Sequence, residues 1–222
     1  MDIATADPNQ VLMYFEGFED YAVSTDMVGV DGWERNTDEG IYTDAWTVVS
    51  DITDHTNKIF GGKQSVECRG AESNWLKRRL STATDVVIRM GMWEEKSTAY
   101  GQIRLTYSDG DVIKNYIQFG PKTTGNDGFR VMSTNIGWCE TASVNSSFKQ
   151  YHEYIMRIHS TEGFSMYTQA GVMIFNNAGG TTASGNLDMY TVNGISFGGG
   201  NCFFDHIRYY KSFSTPDPFQ VI

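Results

Sequence analysis

Short runs of alternating apolar and polar residues recur along this chain, each closed by Gly, Asn, Asp or Thr, and no helix-length window carries an amphipathic helical stripe. Side chains alternate between the two faces of a strand, so each such run predicts a strand with one buried face. The clearest runs are Asp85 to Trp93, Gln102 to Tyr107 and Val112 to Phe119, the last two joined by Ser108-Asp109-Gly110-Asp111. Asp-Gly tolerates the positive φ of a tight hairpin, so this turn predicts antiparallel pairing. Glu153 to His159, Phe164 to Thr168 and Val172 to Phe175 repeat the pattern, with turns at Thr161-Glu162-Gly163 and Gln169-Ala170-Gly171. Leu187 to Tyr190, Gly194 to Phe197 and Cys202 to Tyr210 complete the expected strands. Consecutive hairpins without intervening helices mean an all-β, two-sheet antiparallel β-sandwich.

All-β sandwiches often reach a length of 222 residues as one unit, and no linker or fixed-period repeat divides the chain. The expected organisation is an extended N-terminal arm over residues 1–13, a sandwich over 14–212, and a tail over 213–222 marked by Pro216 and Pro218.

Charge narrows the partners. The formal net charge is −10, with 27 acidic and 17 Lys or Arg residues, whereas a phosphate backbone is bound by clustered positive charge. No nucleic-acid partner is expected. The N-terminal residues have neither a basic nor an apolar signal region, and no run approaches the roughly 18 apolar residues needed to span a bilayer, so cytoplasmic synthesis without membrane insertion is expected.

The chemistry-bearing residues are sparse. Cys68, Cys139 and Cys202 form no CxxC pair and read as small apolar residues, a bridge being the minority alternative. No His-Glu-x-x-His, Gly-x-Ser-x-Gly or Glu-x-Asp-x-x-Glu pattern occurs. The last would place alternate carboxylates on one strand face for glycoside hydrolysis. Glu16 and Glu19, three apart, would face opposite sides of a strand, and Glu94-Glu95 reads as a solvated pair. His152 and His159 would also face opposite sides, and His55, His152, His159 and His206 read as edge or rim residues. Catalysis is therefore not expected, and neither is a cofactor. Calcium is the one metal with candidate oxygen ligands, from Asp51, Asp54, Asp109 and Asp111. Trp33, Trp75 and Trp138 stand in polar, loop-like sequence, where an indole would stack on a sugar or seat a partner, with packing under a loop as the alternative. Trp46 and Trp93 stand in apolar runs and are assigned to the core.

Three segments together carry a resemblance. Phe15-Glu16-Gly17-Phe18-Glu19-Asp20-Tyr21 resembles an opening strand, Tyr151 to Ile174 a three-strand meander, and Phe203 to Tyr210 a closing strand, of concanavalin A-like, laminin-G-like jelly rolls. The polar N-terminal segment, the Gly-Phe-acid-x-Tyr segment and the Gly32-Trp33 and Ala45-Trp46 loop resemble virion structural proteins of tailed phages. That resemblance implies a capsid decoration or cement component in the virion. Its partners would be major capsid or tail proteins and further copies of itself. Met1, Asp2, Ile3, Phe219 and Ile222 would then be contact residues in the terminal arms. The alternative is a carbohydrate-binding module, or a tail or fibre adhesin, holding a glycan through loop aromatics.

Overall fold

The computed structural model describes residues 10–35, 46–50, 62–68, 75–94, 101–121, 129–135, 139–140, 151–176, 187–199 and 202–212. In chain order the strands are β1 (Gln10–Glu16), β2 (Trp33–Arg35), β3 (Trp46–Ser50), β4 (Gln64–Cys68), β5 (Trp75–Ala83), β6 (Val86–Glu94), β7 (Gln102–Asp109) and β8 (Val112–Pro121). They continue as β9 (Phe129–Ser133), β10 (Cys139–Glu140), β11 (Tyr151–His159), β12 (Gly163–Thr168), β13 (Met173–Asn176), β14 (Val192–Gly198) and β15 (Cys202–Ser212). One sheet runs β13-β12-β11-β6-β15-β4-β3, with β1 added against β15, and the other runs β10-β9-β8-β7-β14-β5-β2. All their pairings are antiparallel.

Alternation explains the layering. On β7, Ile103 and Leu105 are fully buried while Arg104 and Thr106 point away from the core; on β6, Ile88, Met90 and Met92 turn inward. Phe197 of β14 and Phe204 of β15 meet across the layers with ring centroids 4.6 Å apart, and Phe119 of β8 faces Phe164 of β12 at 6.2 Å. Aromatic pairs of this kind add about 0.5–1.5 kcal/mol beyond their area burial. Trp46 and Trp93 are buried, as expected. Cys68 and Cys202 are buried, reduced cysteines and register partners on β4 and β15; Cys68 Sγ donates to the Gly199 carbonyl oxygen at 2.8 Å.

Several boundaries differ from expectation. The strand at the N-terminal end occupies Gln10–Glu16, so Gln10 to Met13 belong to the sheet rather than to an arm: Gln10 pairs with Ser212 and Leu12 with Tyr210. The Phe15-to-Tyr21 segment is a strand only to Glu16. Its carboxylate accepts from the Phe18 amide at 2.8 Å, holding Phe18 at φ 60, a conformation costly for a bulky side chain. Glu19 follows in the turn and accepts from the Lys63 and Gln64 amides, so the opposite-face reading does not apply. Leu187 to Tyr190 alternates in burial, with Leu187 and Met189 in the core, yet forms no strand. Asp188 has φ 50, and the Asn115 side-chain amide bonds the Leu187 and Asp188 carbonyls where a partner strand would.

Candidate functional site

A groove of about 680 Å³ crosses the outward face of the seven-stranded sheet over β5, β7 and β14 and ends at the β7–β8 turn. Its floor follows from small residues at alternate positions of β14. Ile195 and Phe197 enter the core, leaving Gly194 and Ser196 to face outward between the taller side chains of β5 and β7. The packing at 194 is tight: a Cβ there would meet Thr106 Oγ1 unless that hydroxyl turned aside. Beyond it Asn193 ties three elements together. Its side-chain oxygen accepts from the Ser108 amide at 2.8 Å, and its amide nitrogen donates to the Ser108 carbonyl at 2.7 Å and to Thr82 Oγ1 at 3.3 Å. Register shifts fall at Tyr107/Ser108 and at Val192/Gly194, so this amide replaces ladder bonds at paired bulges.

The groove's fixed charge is Arg104. Its guanidinium lies 4.1 Å from the Trp75 ring centre and 5.3 Å from that of Tyr116. Its Nε and Nη2 donate to Gln118 Oε1 at 3.1 and 2.7 Å, while Gln118 Nε2 donates to Gln102 Oε1. Gln102 and Gln118 are both buried, so this chain of bonds holds the guanidinium in one orientation. Lys77 and Arg79 stand on the β5 wall. Lys77 pairs with Glu34 at 3.6 Å, and Arg79 pairs with Asp111 across the mouth. Arg79 and Asp111 are well exposed, so their pair is worth little. The Asp111 carboxyl is held below its usual range by its hydrogen bond to Arg79 and by that residue's charge. Arg78 also borders the groove, but its guanidinium reaches toward the core edge, 4.3 Å from the Tyr14 ring centre and 5.7 Å from that of Trp33, and donates to Asp31.

Of the tryptophans chosen from sequence, Trp33 and Trp75 do not present open indoles. Trp33 is on β2, fully buried, 5.1 Å from Phe197 and 6.3 Å from Phe18. Trp75 is on β5 at 2 % exposure, beneath Arg104. Both are therefore corrected from ligand platforms to packing residues: each polar neighbourhood in sequence is the outward or edge half of a strand, not a loop. Trp138, Met1, Asp2, Ile3, Phe219 and Ile222 lie outside the described residues, as do His55, Asp51 and Asp54. Asp111 is engaged by Arg79, and among the described residues no group of three His, Cys, Asp or Glu side chains is gathered to hold a metal ion. His159, expected at a rim, is buried. Its Nδ1 accepts from the Thr161 and Glu162 amides and so closes the β11–β12 turn.

The groove residues Lys77, Arg79, Arg104, Asn193 and Ser196 were not among the sequence candidates. One signal for them existed: Lys77-Arg78-Arg79 is a basic cluster in an acidic chain.

No protein-family model and no curated protein matches the chain. Solved structures do. Domain 4 of AbnA, a GH43 extracellular arabinanase from Geobacillus stearothermophilus, solved in complex with arabinotriose, matches with a TM-score of 0.57 at 12% identity, over 95% of this chain and 97% of that one. The fold is a jelly-roll β-sandwich of the concanavalin A-like type. Porphyranase B from Zobellia galactanivorans matches with a TM-score of 0.51 at 10% identity, over 95% of this chain and 96% of that one. The Bacillus licheniformis β-glucanase matches with a TM-score of 0.50 at 10% identity, over 90% and 97%. These likenesses carry the jelly-roll part of the sequence resemblance and do not bear on its tailed-phage part.

Proposed function

We propose that this chain is a carbohydrate-binding β-sandwich that takes a saccharide in the groove over β5, β7 and β14. The observation that carries this reading is the groove's construction: a floor of Gly194 and Ser196, planar and hydroxylated walls, and a guanidinium pre-oriented by Trp75, Tyr116 and Gln118. Groups held in place before binding lose little entropy when a ligand's hydroxyls arrive. The arabinanase domain of the same fold, solved with arabinotriose, supports the ligand class.

Binding without hydrolysis fits the lining. Retaining hydrolysis needs two carboxyl groups about 5 Å apart, across the scissile bond. Among the described residues the groove's carboxylates are Asp109 and Asp111, both in one turn at its end, with Asp111 committed to Arg79. The test is a glycan array with the wild-type chain and a Ser196→Trp variant, which fills the floor. Glycan retention that the variant loses supports the reading; retention unchanged by the variant removes the groove as the site.

A second reading keeps the chain as a virion building component. The observation favouring it is the apolar row Val11, Leu12, Met13 and Phe15 on β1, each about half exposed, which a neighbouring subunit would cover. Light scattering after size exclusion tests it: a closed oligomer that Leu12→Asp with Met13→Asp dissolves supports assembly, and a monomer unaffected by concentration counts against it.

A further inference from the structure

The charge of the groove opposes the charge of the chain. The molecule carries −10 overall, yet Lys77, Arg79 and Arg104 bring their cationic groups to one groove, where Lys77 and Arg79 meet Glu34 and Asp111 and Asp109 stands at the end turn. This concentrates cationic groups in one groove of an acidic chain, where a ligand anion can meet them. From these residues we infer that the saccharide bound here is an acidic one, carrying a carboxylate or sulfate substituent that the Lys77, Arg79 and Arg104 side chains receive. This deepens, and rests on, the proposed carbohydrate-binding role.

The three cations are suited to different parts of that task. Arg104 is stacked and hydrogen-bonded into one position, and a planar guanidinium matches the oxygen pairs of carboxylate or sulfate better than an ammonium does. Arg79 and Lys77 hold their own carboxylate partners only in exposed pairs. Such pairs are weak enough for Asp111 and Glu34 to be displaced by a ligand anion. A neutral sugar leaves those pairs in place and gains nothing from the cations; an anionic one exchanges with the carboxylates and gains the charge of Lys77 and Arg79 together with that of Arg104. The shared chemistry of uronate and sulfate esters is a compact anion on a sugar ring, and the two differ in shape and charge delocalisation.

The test is calorimetry of the full chain with three oligosaccharides of equal length: an oligogalacturonate, a sulfated galactan fragment and a neutral arabinan fragment, each at low and high salt. At least one acidic oligomer is expected to bind ten-fold or more tightly than the neutral one. That advantage should shrink at high salt as screening weakens the attraction. The two acidic arms identify which anion is read. Lys77→Gln with Arg79→Gln, both on the β5 wall, should abolish most of the advantage by weakening acidic binding several-fold more than neutral binding. Lys211→Gln, on the other sheet, should change neither. If acidic and neutral oligomers bind equally and the double variant weakens both alike, the anion inference is overturned while the carbohydrate-binding reading stands. If no oligomer of any class binds, both fall.

Discussion

The Arg104 guanidinium carbon lies 4.1 Å from the centre of the Trp75 ring, with Gln118 Oε1 accepting from two of its nitrogens. This stack joins the hydrophobic cover of the seven-stranded sheet to the charged centre of the groove. Removing either partner has distinguishable effects. Arg104→Ala should remove glycan binding and, by uncovering Trp75, also destabilise the fold by about 1–2 kcal/mol, since a desolvated cation–π contact is worth about that much. Trp75→Leu should keep the cation but loosen its orientation, weakening binding several-fold rather than abolishing it. Denaturant unfolding alongside titration calorimetry separates the two.

Two outward-facing glycines should respond unequally to a methyl group. At Gly194 the added Cβ would meet Thr106 Oγ1 at 2.3 Å, a hydroxyl that a change of rotamer moves aside. At Gly120 it would meet the Gly101 backbone oxygen, which moves only with the chain leading into β7. Overpacking costs about 1–3 kcal/mol, so Gly120→Ala should fall at or above the top of that range and Gly194→Ala near the bottom. Thr106→Ala should rescue Gly194→Ala in a double-mutant cycle and leave Gly120→Ala unimproved.

On the other sheet, Glu153 of β11 is 3 % exposed and bridges Arg89 of β6, at 3.0 Å, and Arg208 of β15. Glu153→Gln leaves two largely buried guanidinium groups without their counter-charge. Breaking a buried pair from one side costs about 3–5 kcal/mol, and the partial exposure of both arginines puts the expectation at the lower end, roughly 3 kcal/mol. In a domain of this size that lowers Tm by roughly 6–12 °C, measurable by calorimetry. A variant as stable as the wild type would mean that the two arginines repartner.

Alkaline pH should unfold the protein through its tyrosines. Burial pushes the Tyr209 hydroxyl up to about 12. Burial, followed by the charge of Glu16, raises Tyr14 and Tyr21, whose hydroxyls both donate to Glu16 at 3.1 Å. A pKa higher in the folded than in the unfolded chain means that the folded state favours the protonated form. This contribution is complete below the unfolded value near 10 and is lost as pH climbs from there to about 12 and beyond. Phenolate absorbance should therefore rise in step with loss of near-ultraviolet circular dichroism, and Tyr209→Phe should shift the alkaline midpoint upward.

Much of the sandwich was legible because strand alternation is a local signal. β6, β7, β8, β11, β12, β14 and β15 fall close to their expected places, for alternate side chains of each enter the core, and hairpin turns carry residues such as Gly110 at φ 60 or Gly163 at φ 73. The strands that escaped, β2, β3, β4, β5, β9 and β10, are mostly short, or break the alternation with charge. On β5 the run Lys77-Arg78-Arg79 hides the pattern, because Arg78 occupies an inward position at the core edge and extends its guanidinium over Tyr14 and Trp33. Long cationic side chains can do this; a hydropathy pattern cannot foresee it.

By itself the sequence determined the class of fold, the antiparallel hairpins, the core placement of Trp46 and Trp93, and the acidic surface charge, all of which follow from neighbouring residues or from composition. Only the tertiary structure decided that Trp33 and Trp75 are covered, that Gln10 to Glu16 pair with the last strand, and that a groove lined by Lys77, Arg79 and Arg104 exists. The groove brings together Lys77 and Arg79, Arg104, and Gly194 to Ser196 from three strands far apart in sequence. They become neighbours through the strand order β7-β14-β5. Strand order is set by which long-range pairings bury the most apolar surface with every backbone group bonded, a property of the assembled sheets that no single segment carries.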